Sequence, residues 1–232
     1  MPKTTITYGR LPFQEAIAFF RSKIPMPTQR WNDLWKGMHT RGFTVAGAVK
    51  GEILSDFSSA VDRAIAEGTT LTDFRKSFDK IVARHGWDYK GGRNWRSRVI
   101  FETNIRTAYS AGRYKQMNEP ALKKLRPYWE YRHGDSRHPR ELHLSWDRIV
   151  LPTDDPWWDT HYPPNGWGCK CKVFALSERD LKRLGKAGQD TAPDDGSYQW
   201  TDKKTGITHT VPNGIDPGWD YNVGQAGYLH GL

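Results

Sequence analysis

The chain has 232 residues, 37% of them hydrophobic, a mean hydropathy of −0.78 and a net charge of +9. No stretch nears the ~18 apolar residues a bilayer-crossing helix needs, and the opening MPKTTITYGRLPF has no apolar signal core; synthesis and retention in the cytoplasm, with reduced thiols, is the expectation. The charge is uneven: residues 83–140 hold 14 Lys and Arg against 5 Asp and Glu, while the rest holds 21 of each.

Such a basic quarter reads either as a surface for nucleic acid or an acidic partner, or as a solvated helix face beside a basic loop. With 11 Trp and 10 Tyr, a modest core can be built from large aromatics where aliphatics are scarce. A partner could bury further surface.

In chain order, PFQEAIAFFRSKI places Phe13, Ile17 and Phe20 near helical spacing and predicts a short helix. Thr28 is placed to cap a second helix over QRWNDLWKGM, with Trp31, Leu34, Trp35 and Met38 as its apolar stripe. A third is expected from Val45 to Ala66, with Val49, Ile53, Phe57, Val61 and Ile65 inward and Gly68 as the stop. TTLTDFRKSFDKIVARHG is the clearest helix, capped by Thr70 or Thr72 and ended by Gly86. After Gly91-Gly92 a long helix runs from about Trp95 to Met117. Its small residues Ala108 and Gly112 suggest a close helix crossing, and Glu102 and Arg106 form an i, i+4 pair. Pro120 marks the end of that segment.

The texture then changes. Strand-like alternation appears at Tyr128–Arg132 and near Arg148–Leu151. From Asp154 to Gly168 the Pro, Gly, Asp and aromatic content predicts an ordered loop. CKCKVFAL reads as a strand, with Cys169 and Cys171 on one face. Ser177 caps a short helix, and Tyr198–Thr201 with Ile207–Val211 predicts a hairpin. The Gly-rich tail shows no regular pattern. The fold class is therefore α+β: a helical half over 1–126, then a smaller β-rich, loop-rich half over 127–232.

Chemistry concentrates in HYPPNGWGCKC, which holds both cysteines of the chain. A disulfide across one residue would close a small, strained ring, so metal ligation or plain reduced thiols are the two readings. Zn²⁺ needs four N, S or O donors in a tetrahedron. Cys169 and Cys171 supply a two-thiolate half-site, His143 is the third candidate, and His161 or an Asp the fourth. Without metal, His143 and the thiols would form a small buried polar knot. Trp157, Trp158 and Trp167 are expected to shield the cluster. Elsewhere, Arg93, Arg96 and Arg98 open a helix where positive charge opposes the dipole, which suggests an external anion. Trp31 and Trp35 are candidate partner contacts, or else pack on the Phe57 and Phe78 helices. There is no dinucleotide fingerprint, phosphate loop or nucleophile elbow, so no catalytic residues are assigned and a non-enzyme is expected.

DSRHPRELHLSWDRIVLPTDDPWWDTHYPPNGWGCKCKVFALS closely resembles the core of the phage Mu F-like minor head proteins, also called phage head morphogenesis proteins. That family shows a D-S-R segment, a His, D-D-P-[FW]-W, and then Y-P-P-N-G-W-x-C-[RK]-C. The helical segments and VPNGIDPGWDYNVG are similar to the family as well. His143 matches with a one-residue insertion, and His138 is an extra. Another branch carries C-x-x-C followed by H-x-x-C-x-C, which looks like a complete zinc site. Here His143 falls near the second cysteine of that pair, and Gly166 stands where that branch has its His. The resemblance implies a minor capsid protein of a tailed phage or prophage, located in the virion at the portal vertex or head interior. Its implied partners are the portal, the major capsid or scaffold protein, and double-stranded DNA, with no membrane. The rival expectation is a DNA-interacting protein, either a metal-dependent nuclease or a factor ejected with DNA.

Overall fold

The structure, a computed structural model, describes residues 12–228. Its helical part is built on α1 (Gln14–Arg21), α3 (Gly51–Glu67), α4 (Leu71–His85) and α5 (Arg93–Met117). The apolar stripes turn inward as expected: Ile53, Phe57, Val61 and Ile65 of α3 and Phe74, Phe78 and Ile81 of α4 are buried. Thr70 caps α4 by accepting the Asp73 N–H at 3.2 Å, and Gly68 and Gly86 end α3 and α4 in the left-handed conformation. On α5, Gly112 meets α1 so closely that a Cβ there would lie 2.7 Å from the Ala16 backbone nitrogen. That is the helix crossing the small residues predicted. The expected start of α3 at Val45 is corrected to Gly51: Val45 is buried in a preceding turn, and Val49 lies exposed.

The predicted helix over Gln29–Met38 does not form. Those residues make turns, and only α2 (Met38–Arg41) is helical. Asp33 explains the difference. Its carboxylate accepts the backbone N–H groups of Gln29 and Arg30 at 2.8 and 2.9 Å, an alternative to helix that short acidic side chains offer the backbone. The Thr28 hydroxyl is buried without a partner rather than capping. A short parallel pair, β1 (Ile24–Pro25) with β2 (Gly42–Phe43), brackets this segment.

In the second half β3 (Tyr128–Arg132) is the centre of an antiparallel sheet, with β4 (Val150–Pro152) on one side and β5 (Lys172–Leu176) on the other. Trp129 stands opposite Leu151 and Ala175. The hairpin β6 (Ser197–Thr201) with β7 (Thr208–Pro212) pairs as predicted, and Ser177 opens α9 (Glu178–Arg183) with a full capping box to Asp180. Four short helices arise where none was expected: α6 (Pro120–Leu125), α7 (Glu141–Ser145), α8 (Trp158–His161) within the predicted loop, and α10 (Val223–Tyr228) in the tail. The two cysteines precede β5 rather than lying on it.

The fold is α+β, and one buried cluster runs through it. Phe20, Phe57 and Phe78 belong to the same cluster as Trp129, Trp146 and Trp158. Trp35 stacks on Trp200 of the hairpin with ring centroids 5.4 Å apart. Among the described residues no helix is long and apolar enough to cross a membrane.

Candidate metal centre

Two chain segments meet at one point. α7 carries His143, the segment before β5 carries Cys169 and Cys171, and their donor atoms all lie within 4.8 Å of one another. The Nδ1 of His143 is 3.9 Å from the Cys169 sulfur and 3.6 Å from that of Cys171. Cys169 and His143 are buried, and Cys171 is half-buried.

The imidazole is aimed rather than merely enclosed. Its Nε2 lies 2.8 Å from the Gly214 carbonyl oxygen, so it donates there and leaves the Nδ1 lone pair facing the thiols. Gly214 makes this possible: at φ +83° a Cβ would lie 2.6 Å from the Trp146 ring, so only glycine brings the carbonyl this close. Trp146 stacks on the other side of the geometry, 5.0 Å from His143 at 24°, and is pinned by its indole N–H to Asp195 at 2.7 Å.

Beside the sulfurs, the Tyr131 hydroxyl donates to Asn165 Oδ1 at 3.0 Å. The neighbouring Cys169 thiol pushes Cys171 down to about 4 against the opposing effect of burial. Cys169 moves up, through its bond to Cys171 and through burial. The pair titrates as a unit and favours one negative charge.

α5 holds the loop that delivers the thiols. Arg106, also paired with Glu102 at 2.9 Å, donates to the carbonyls of Gly168 at 2.8 Å and Cys169 at 3.2 Å. Ser110 donates to the Pro163 carbonyl, and the Tyr162 hydroxyl donates to the Ser110 carbonyl at 3.2 Å. The Pro163–Pro164 peptide is cis.

His161 does not join the set. It lies flat on Trp157, with centroids 4.3 Å apart, and its Nδ1 is engaged by the Thr160 hydroxyl at 2.8 Å and the Trp157 carbonyl at 3.1 Å. Nor does any Asp complete the tetrahedron among the described residues. The expected shield is also corrected. Trp146 and Tyr131 pack on His143, Trp157 and Trp158 stand a layer behind, and Trp167 is partly exposed against Trp31 and Trp219. Gly166 has no room for a histidine, because a Cβ there would lie 2.3 Å from Asp216 Oδ2.

The donor set fits zinc. With Zn–S near 2.3 Å and Zn–N near 2.0–2.1 Å, tetrahedral ligand atoms stand about 3.6 Å apart, close to the two sulfur–nitrogen separations. Two thiols and an imidazole suit Zn²⁺ far better than the hard cations Mg²⁺ or Ca²⁺.

The other sequence candidates have internal uses. Arg93 grips Asp79 of α4 through two bonds of 2.6 Å. Arg96 donates to the Ala46 carbonyl at 2.6 Å and lies over the rings of Trp87 and Trp95. Arg98 is exposed. Arg93 and Arg96 are therefore engaged within the chain rather than left for an external anion. The wider basic segment is answered by acids elsewhere: Arg84 by Asp56, Arg126 by Asp180, Arg132 by Asp147 and Arg140 by Asp216. Trp35 packs on Trp200 and His209, not on Phe57 or Phe78. Trp31, Trp35 and Arg96 all line one cavity of about 340 Å³, bounded also by Trp95, Trp167 and Tyr221.

Residues 55–174, just over half of the chain, match the family described as Phage Mu protein F like protein. The chain belongs to this family. The matched stretch of this Mu F-like chain runs from α3 into β5, so His143, Cys169 and Cys171 all fall inside it, while Trp31, Trp35 and the hairpin lie outside. The chain is similar to the putative capsid assembly protein F of Escherichia phage Mu, at 36% identity over 98% of this chain and 58% of that protein. It is similar to the Mu-like prophage FluMu F protein of Haemophilus influenzae, at 35% identity over 87% of this chain and 54% of that protein. The chain thus spans a little over half the length of these relatives. No solved structure matches it.

Sequence reasoning missed Trp146, Gly214 and Arg106 as members of the site. Trp146 had a signal: it follows His143 by three residues, one helical turn. Gly214 and Arg106 had none, because each acts on a segment more than sixty residues away.

Proposed function

We infer that this chain acts in head assembly of a tailed bacteriophage or prophage, as a minor capsid protein at the portal vertex or inner shell and a component of the virion. The observation that carries this is the match along nearly the whole chain to a protein named for capsid assembly. The architecture supports it: the cluster of His143, Cys169 and Cys171 contains no carboxylate, whereas hydrolytic zinc sites pair an open metal with a general base. A structural, non-enzymatic role is the simpler use of such a site. Its partners on this reading are the portal and the major capsid or scaffold protein. Contact with packaged DNA is secondary, since Arg93 and Arg96 are engaged within the chain.

The test is assembly in cells carrying the parent phage or prophage. A tagged chain should sediment with procapsids and crosslink to the portal. Recovery only in the soluble fraction, from cells that do make heads, would sink the reading. Plasmid nicking that requires added metal and is lost in Cys169→Ala would favour the nuclease alternative instead.

A further inference from the structure

The geometry points to a zinc site held by three protein ligands, His143 Nδ1 and the sulfurs of Cys169 and Cys171, with an exchangeable water at the fourth corner. Two independent features support it. The two sulfur–nitrogen separations, 3.6 and 3.9 Å, stand close to the value of about 3.6 Å that a tetrahedral zinc imposes. The surrounding bonds are also those a metal centre needs. The Gly214 carbonyl fixes the imidazole tautomer that exposes Nδ1, and Trp146, held by Asp195, stacks on the ring and keeps it aimed.

The fourth corner follows from what surrounds the set. Among the described residues no further His, Cys, Asp or Glu lies with the three. His161 is committed to Trp157 and Thr160, and Asp216 is committed to Arg140 and the Trp167 N–H. Cys171 is the half-exposed member, so it marks the side on which water reaches the metal. Binding would replace the thiol protons by Zn²⁺, releasing them to solvent. The ion would tie α7 to the loop that α5 holds through Arg106, and the Gly214 bond would carry that tie to the segment after the hairpin.

The experiment uses the full chain, stripped with a chelator and titrated with Co²⁺. One equivalent should bind, with an intense near-ultraviolet sulfur-to-cobalt band and visible bands of tetrahedral cobalt, and Zn²⁺ should displace it. Added azide should move the visible bands. The half-exposed Cys171→Ser should keep the far-ultraviolet dichroism of the parent yet lose roughly tenfold or more in metal affinity. Chelator should lower the melting temperature of the parent but not of Cys171→Ser. Absence of the sulfur band, or equal affinity in Cys171→Ser, overturns the site. Visible bands indifferent to azide overturn the exchangeable fourth corner. His143→Ala should behave as Cys171→Ser does, and should it fail to fold, Cys171→Ser alone decides.

Discussion

The helical bundle and the thiol cluster stabilise the same chain by different means. In the bundle, Phe57 touches Phe78 and Trp87, and Phe78 touches Tyr89, a redundant set of apolar contacts on helices whose stripes repeat every turn. Around the cluster each contact is made once: one carbonyl for His143, one carboxylate for Trp146, one guanidinium for the loop. Non-directional burial tolerates variation within a size class. A directional arrangement does not, because each lost partner leaves a buried polar group unpaired.

The sharpest break of this comparison is Phe57→Ala. The ring is fully buried, so the substitution should cost about 3–5 kcal/mol, seen as a lower denaturant midpoint. Helical dichroism and tryptophan fluorescence should shift together, because the two regions share a core. Separate transitions would show that they do not.

Acid should act on both regions, since burial depresses His39 of α2 as well as His161 of α8. Burial pushes His161 down to about 4. The folded state thus prefers neutral imidazole, and the unfolded chain binds more protons between about pH 6.5 and 4. The contribution is complete above about 6.5 and is lost as pH falls towards 4, roughly 3 kcal/mol in all. Denaturation curves at pH 7 and 4.5 measure it, and His161→Gln should remove part of the difference, His39 supplying the rest.

Gly214→Ala should lose roughly 1–3 kcal/mol from backbone conformation alone. It should also weaken cobalt binding while leaving the bundle helical, as read by dichroism and by the sulfur band. The smallest effect belongs to an exposed ion pair: Arg93→Ala should shift the denaturant midpoint only slightly, and less still in high salt. A large loss would mean the bidentate grip on Asp79 orders α4 and α5 more than exposed pairs do.

The same contrast decides what could be read from the chain alone. α4 was legible because period, cap and Gly stop agree at one place, while α3 showed its stripe and Gly68 stop but not its start. The segment from Gln29 to Met38 misled because its spacing fits a helix equally well, and the decision lies with the Asp33 carboxylate bonding back to Gln29 and Arg30. Cys169, Cys171 and His143 were legible by residue type, since few other uses exist for such a set. Their supports were not. Gly214 and Arg106 are ordinary residues until the fold brings them across the molecule, and the partners of Arg93 and Arg96 sit on other elements.

α5 touches every part of this arrangement. It extends roughly 37 Å for its 25 residues. Arg93 and Arg96 fasten its start to α4 and to the Ala46 turn, Arg106 and Ser110 grip the thiol loop at mid-length, and Tyr114 meets Trp129 and Tyr162 near its end. A change that unseats its start at Arg93 or Arg96 would therefore also disturb the grip on the thiol loop.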